Sequence, residues 1–144
     1  MAYTTLFGER AYPLGSIAPA SLNGEGNSGR VLVANYHRVA VVLHVGTIGA
    51  GETVDMDVEQ ADAASGGTLK AITGKSITQL VNADDGAICV VEVRGEELDV
   101  DGGFEYINAE VTTSAAIILS CIVYGIDPRF EPVPTTNWQE IVSV

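Results

Sequence analysis

Cysteine and basic residues are scarce in this 144-residue chain, and each scarcity excludes something. Two cysteines, Cys89 and Cys121, cannot make a disulfide framework, and no C-x-x-C or His-rich spacing accompanies them. Both alternate in phase with apolar neighbours, so they are expected as buried free thiols. Seven Lys and Arg stand against nineteen Asp and Glu, a net charge of −12, which repels phosphate backbones and anionic headgroups. Neither nucleic acid nor membrane is therefore an expected partner. The longest apolar runs, such as 39–45 and 115–119, fall far short of the roughly 20 residues of a spanning helix. The opening MAYTTLFGER has no basic stretch ahead of an apolar block, so no secretory signal is expected.

Helical periodicity is equally scarce. Segments 59–64 and 95–98 are long enough for about one turn each, and neither carries an apolar stripe. What the chain has instead is period-two alternation and a large apolar share, 47% of residues, at a length typical of one domain. In 38–45, Val39, Val41, Leu43 and Val45 share one face, while Arg38, Ala40, Val42 and His44 share the other. In 53–59, Val54, Met56 and Val58 alternate with Thr53, Asp55, Asp57 and Glu59, the pattern of a strand bordering solvent. Segments 87–94 and 115–124 are apolar on both faces over much of their length, as central strands covered on two sides would be. Weaker strand signals at 14–18, 30–33, 76–81 and 104–111 bring the count to about eight.

Gly-, Asn- and Asp-rich stretches at 24–29, 46–51, 64–67, 82–86 and 99–103 separate these strands as turns and loops. This pattern predicts an all-β fold, an antiparallel β-sandwich of jelly-roll type with extended arms. The expected division is an N-terminal arm and first edge strand at 1–29, a sandwich body at 30–125 and a C-terminal extended arm at 126–144. Pro128, Pro132 and Pro134 hold the last segment extended. The arms carry Tyr3, Phe7, Tyr12, Phe130, Trp138, Ile141 and Val142, more apolar surface than solvated tails normally show. These seven residues are the candidate interface.

No catalytic constellation is legible. Gly24-Glu-Gly26-Asn-Ser-Gly29 matches G-x-G-x-x-G but precedes a strand, whereas a dinucleotide site needs a helix there. Asp99-Val-Asp101-Gly-Gly resembles the start of a calcium loop without its closing acidic ligand. His37 and His44 are seven apart and fall on opposite faces of an unbroken strand. No G-x-S-x-G elbow occurs. Neither an enzyme nor a cofactor is expected. Charge is unevenly placed, with fourteen acids and three bases over 51–110 but two acids and three bases over 1–50.

The segments "HRVAVVLHVGTI", "TVDMDVEQADAASGGTLKAITGKSITQL", "VRGEELDVDGGFEYINAEVT" and "YGIDPRFEP" together resemble small structural proteins encoded near the head genes of tailed bacteriophages, over roughly residues 10–132. The resemblance implies a virion component synthesised in the host cytoplasm, most like the capsid decoration (cement) proteins. It implies a homo-oligomer, a trimer in preference, that bridges neighbouring subunits of the major capsid protein. A tail or baseplate subunit is the alternative, followed by a carbohydrate-binding module, which would display aromatics on an exposed strand face.

Overall fold

The computed structural model describes residues 6–130 and 137–142. After a single helical turn, α1 (Phe7–Arg10), the described chain runs through seven strands. These are β1 (Ala11–Asn27), β2 (Val31–Leu32), β3 (Tyr36–Val45), β4 (Val54–Ala61), β5 (Leu69–Ser76), β6 (Ile88–Arg94) and β7 (Tyr106–Pro128). All pairings are antiparallel, and the all-β sandwich expected from the alternation is what forms.

The organising element is β7, 23 residues long. It joins two segments, 104–111 and 115–124, that read separately in the sequence. One edge of β7 pairs with β1 along Ala11 to Asn27 and then with β2. The other edge pairs with β4 over its first half, from Ala61↔Tyr106 to Val54↔Thr113. It then pairs with β3 over its second half, from Val45↔Leu119 to Tyr36↔Pro128. Strands β3 and β4 thus lie end to end along one long strand, and each gains an outer neighbour, β6 on β3 and β5 on β4. The result is one sheet with two half-sheets.

The core is a single face of that sheet. Ile107, Ala109, Val111, Ile117, Leu119, Cys121 and Val123 are all odd-numbered residues of β7, and all belong to one buried cluster with Val54, Met56 and Val58 of β4 and Val39, Val41, Leu43 and Val45 of β3. Residues from both halves can meet in one core only if the sheet curls, and it does so into a nearly closed sandwich. The outer strands β5 and β6 approach at the seam. There Lys75 donates to the Glu92 carbonyl at 2.7 Å and pairs with Glu97 at 2.9 Å.

Polar groups settle the irregularities this curl requires. The pairing of β1 slips between Leu22 and Gly24, and there the buried Thr113 hydroxyl donates to the Leu22 carbonyl at 3.0 Å and accepts from the Gly24 N–H at 3.1 Å. Buried Asn108 donates to Asn27 at 2.7 Å, and buried Gln60 accepts from the Asp99 N–H at 2.8 Å. Without such partners each buried polar group would cost about 1–3 kcal/mol.

Four sequence expectations are corrected. The strand expected at 76–81 is displaced to β5, which ends at Ser76; beyond it the segment touches β4 through the Ile77 N–H on the Met56 carbonyl and an isolated bridge of Leu80 with Val54. Segment 59–64 forms no helical turn: it finishes β4 and enters a loop. Cys89 is half-buried, unlike Cys121, because β6 is an outer strand and β5 covers it only toward its far end. Nor are β6 and the second half of β7 covered on both faces, because the sheet curls toward its other face: Ile88, Val90 and Ile118 are exposed.

Candidate functional site

The curled sheet presents two outer faces of opposite character. On the first half-sheet, the even residues of β7 and their neighbours place Glu110 beside Asp57 on one side and Asn27 on the other, with Asp55, Glu59 and Glu25 in adjacent positions. Burial raises the Glu110 carboxyl above its ordinary 4.5, and the carboxylates of Glu25, Glu59 and Asp57 push it in the same direction. Among the described residues no group of three or more His, Cys, Asp or Glu side chains converges to hold a metal ion.

On the second half-sheet the outer face is apolar around Val90, Val42 and Ile122 and charged toward Glu92, Arg94 and Arg38. The strand registers define successive rows across β6, β3, β7 and β1. One row reads Val90, Val42, Ile122, Ser16, and the next reads Ile88, His44, Ser120. Toward the chain ends come Glu92, Ala40, Tyr124, Pro13 and then Arg94, Arg38, Ile126, Ala11. Beside the β1 flank runs an open groove of about 500 Å³, lined by residues 13–19 with Ser120, Ile122 and Tyr124 and bounded by Asn137 and Trp138.

A clasp of both chain ends sits at the Tyr124 end of this face. Phe7, Tyr124 and Trp138 form a triangle of aromatic contacts with centroid separations of 6.0, 6.2 and 6.3 Å. Trp138 also packs on the buried pair Tyr12 and Tyr36. Asn137 ties the segment down: its N–H donates to the Tyr12 hydroxyl at 3.2 Å and its side-chain amide to the Pro13 carbonyl at 2.8 Å. Burial, and then Tyr12, raise the Tyr36 hydroxyl above its ordinary 10.0. Trp138 Nε1 is buried with no hydrogen-bond partner among the described residues. Next to the clasp, Arg38 grips Asp127 at 2.7 Å, and Arg10 reaches the same carboxylate at 3.3 Å.

Of the seven arm residues named from the sequence, three are thus brought together: Phe7, Tyr12 and Trp138. Ile141 joins their neighbourhood, packing near Gly8 and lining a second opening of about 370 Å³ with Leu6, Phe7, Trp138 and Val142. Phe130 and Val142 stand exposed. Tyr3 lies outside the described residues.

The motifs weighed in the sequence have structural occupations. Gly24 to Asn27 of the G-x-G-x-x-G match lie in β1, and no helix follows. Asp99 pairs with Lys70 and accepts from the Gly102 N–H at 3.1 Å, which holds its carboxyl below the ordinary value. His37 and His44 are exposed near opposite ends of β3. The residues that sequence reasoning missed are Ile88, Val90 and Ile118. Their signal was present as apolarity on both faces of their segments, but that pattern does not say whether the second face is covered.

No protein-family model matches the chain, and no curated protein matches it in sequence. Among solved structures, the coat protein of Tobacco streak virus aligns over 96% of this chain and 100% of that chain, at 5% identity and a TM-score of 0.38. That TM-score lies below the level at which two chains share a fold, so the likeness assigns neither architecture nor function.

Proposed function

We propose that this chain is a noncatalytic structural protein of a tailed-phage virion. It decorates the capsid, acting as a homo-oligomer that cements the shell by bridging neighbouring major capsid subunits. The observation that carries the reading is the unequal outer surface. One half-sheet is lined with carboxylates and suits the solvent side of a crowded particle, while the other exposes branched apolar side chains, as association surfaces do. Resemblance to head-gene structural proteins supports the same reading.

The exposed apolar side chains at the chain ends, Phe7, Phe130, Ile141 and Val142, are the proposed shell contacts. Tyr12 and Trp138 hold those ends in place. Bridging multiplies weak contacts, because a subunit held at several points leaves only when all release together.

Electron microscopy of virions carrying the protein tests this. Density for the body on the shell, touching more than one capsid subunit, is the expected result. Density confined to the tail or baseplate would move the protein to that alternative, and its absence from purified particles would overturn a virion role.

A further inference from the structure

Asn23 and Gly24 form the one Asn-Gly step in the chain, and they stand where β1 leaves the ladder. Leu22 pairs with Ile117 and Gly24 with Thr113, so Asn23 lies opposite Ser114 to Ala116 of β7 without a partner of its own. Asn23 is exposed, and among the described residues no hydrogen bond holds its carboxamide. Gly24 turns the corner at φ +99°, and a Cβ there would meet nothing within 4 Å. Backbone conformation, and not crowding, is what calls for glycine at this position.

Such a step carries its own chemistry. The amide nitrogen that follows an asparagine attacks the side-chain carboxamide carbon as its proton leaves. A C–N bond forms, the Cγ–Nδ2 bond breaks, and ammonia departs from a cyclic imide. Water then opens the imide at either carbonyl, giving aspartate or, with the backbone rerouted through Cβ and Cγ, isoaspartate. Water is the sole co-reactant and nothing is oxidised or reduced. A side chain on the attacking residue crowds the nitrogen, so glycine is the most permissive successor.

The attacking nitrogen is under restraint in the fold. The Gly24 N–H donates to the Thr113 hydroxyl at 3.1 Å, and that hydroxyl, on a residue 4% exposed, donates onward to the Leu22 carbonyl at 3.0 Å. While the bond holds, the nitrogen keeps its proton and points away from the carboxamide. Release needs only a local opening of the corner, because the ladder is already interrupted there. The other described asparagines are worse placed. The side chains of Asn27, Asn108 and Asn137 are hydrogen-bonded, and Asn35 and Asn82 precede Tyr36 and Ala83.

We propose that Asn23–Gly24 is a self-modification site, an asparagine that converts to aspartate and isoaspartate at a rate gated by Thr113. Conversion adds a carboxylate to a chain of net charge −12. Isoaspartate also lengthens the backbone by a methylene between the two stretches of β1 that pair with β7, so the change loosens that edge irreversibly. The site is independent of any role in a virion.

The full chain, aged at mildly alkaline pH and mapped by peptide mass spectrometry, should show ammonia replaced by water at Asn23 ahead of every other asparagine. Labelling with isoaspartyl methyltransferase should identify isoaspartate there. The chain unfolded in urea should convert faster. Thr113→Val should speed conversion in the folded protein about fivefold, the worth of one ordinary hydrogen bond, while Thr113→Ser, which keeps the hydroxyl, should retain the wild-type rate. A second measurement needs no variant: in urea below the unfolding transition, conversion at Asn23 should rise in parallel with hydrogen exchange of the Gly24 amide. Asn23 left intact in the folded protein after the unfolded sample has converted would overturn the site, as would conversion led by another asparagine. A folded-state rate indifferent to exchange at Gly24, or to Thr113→Val in a folded variant, would overturn the gate.

Discussion

Cys121 Sγ lies 4.0 Å from Met56 Sδ, and with this contact the second half of β7 touches the strand that pairs with its first half. The two sulfurs sit at the inside of the curl, both almost fully buried. Burial pushes the Cys121 thiol up to about 12, so it stays protonated and unreactive. Cys121→Ser should destabilise by about 1–3 kcal/mol, because a hydroxyl would replace sulfur among apolar groups. Urea unfolding measures that loss. Thiol labelling without denaturant should modify half-buried Cys89 first. Because the folded thiol titrates above its ordinary 9.0, the stability it contributes is present below pH 9 and is lost as pH rises toward 12.

Glu110 gives a dependence at the acid end. Its folded carboxyl is raised above 4.5, so the folded state binds the proton more tightly than the unfolded chain. The contribution is therefore fully present below about pH 4.5 and is lost as pH rises through the folded value. Glu110→Gln should stabilise the protein at pH 7 by about 0.2–1 kcal/mol, the size of one opposed like-charge pair, here with Asp57. Urea midpoints of the two proteins should converge as the pH approaches 4.

Gly125 faces Tyr36 so closely that an added Cβ would lie 2.6 Å from the ring. Gly125→Ala should destabilise by about 1–3 kcal/mol, the range for overpacking a filled site. In the Tyr36→Ala background the same substitution should cost much less, since the ring it strikes is gone. A double-mutant cycle of melting curves reads that non-additivity.

Trp138 is the chain's single tryptophan, so its fluorescence reports the clasp alone. Tyr12→Phe removes the acceptor for the Asn137 N–H and should shift Trp138 emission to the red while the β-type circular dichroism persists. Trp138→Ala should destabilise by about 1–3 kcal/mol, as expected for removing a half-buried aromatic from Phe7, Tyr124 and the Tyr12–Tyr36 pair. Differential scanning calorimetry of the variant checks the figure.

Local alternation by itself determined that this is an all-β protein and which residues of 38–45 and 53–59 turn inward, because side chains on a strand alternate whatever the strand pairs with. It also placed Cys121 in the core. Only the tertiary structure decided that 104–111 and 115–124 are one strand, that Ser114 to Ala116 continue it past the junction of β3 and β4, and that β6 ends up outermost. Those outcomes depend on pairing between segments distant in the chain, and no local pattern encodes pairing. The same holds for the exposed apolar residues and the clasp. The apolarity of Ile88, Val90 and Ile118 is written in the sequence, but their exposure follows from the sheet curling toward its other face. Trp138 reads as spare apolar surface on an arm, and it becomes a clasp because β7 carries Tyr124 to the place where Phe7 and Tyr12 begin the fold.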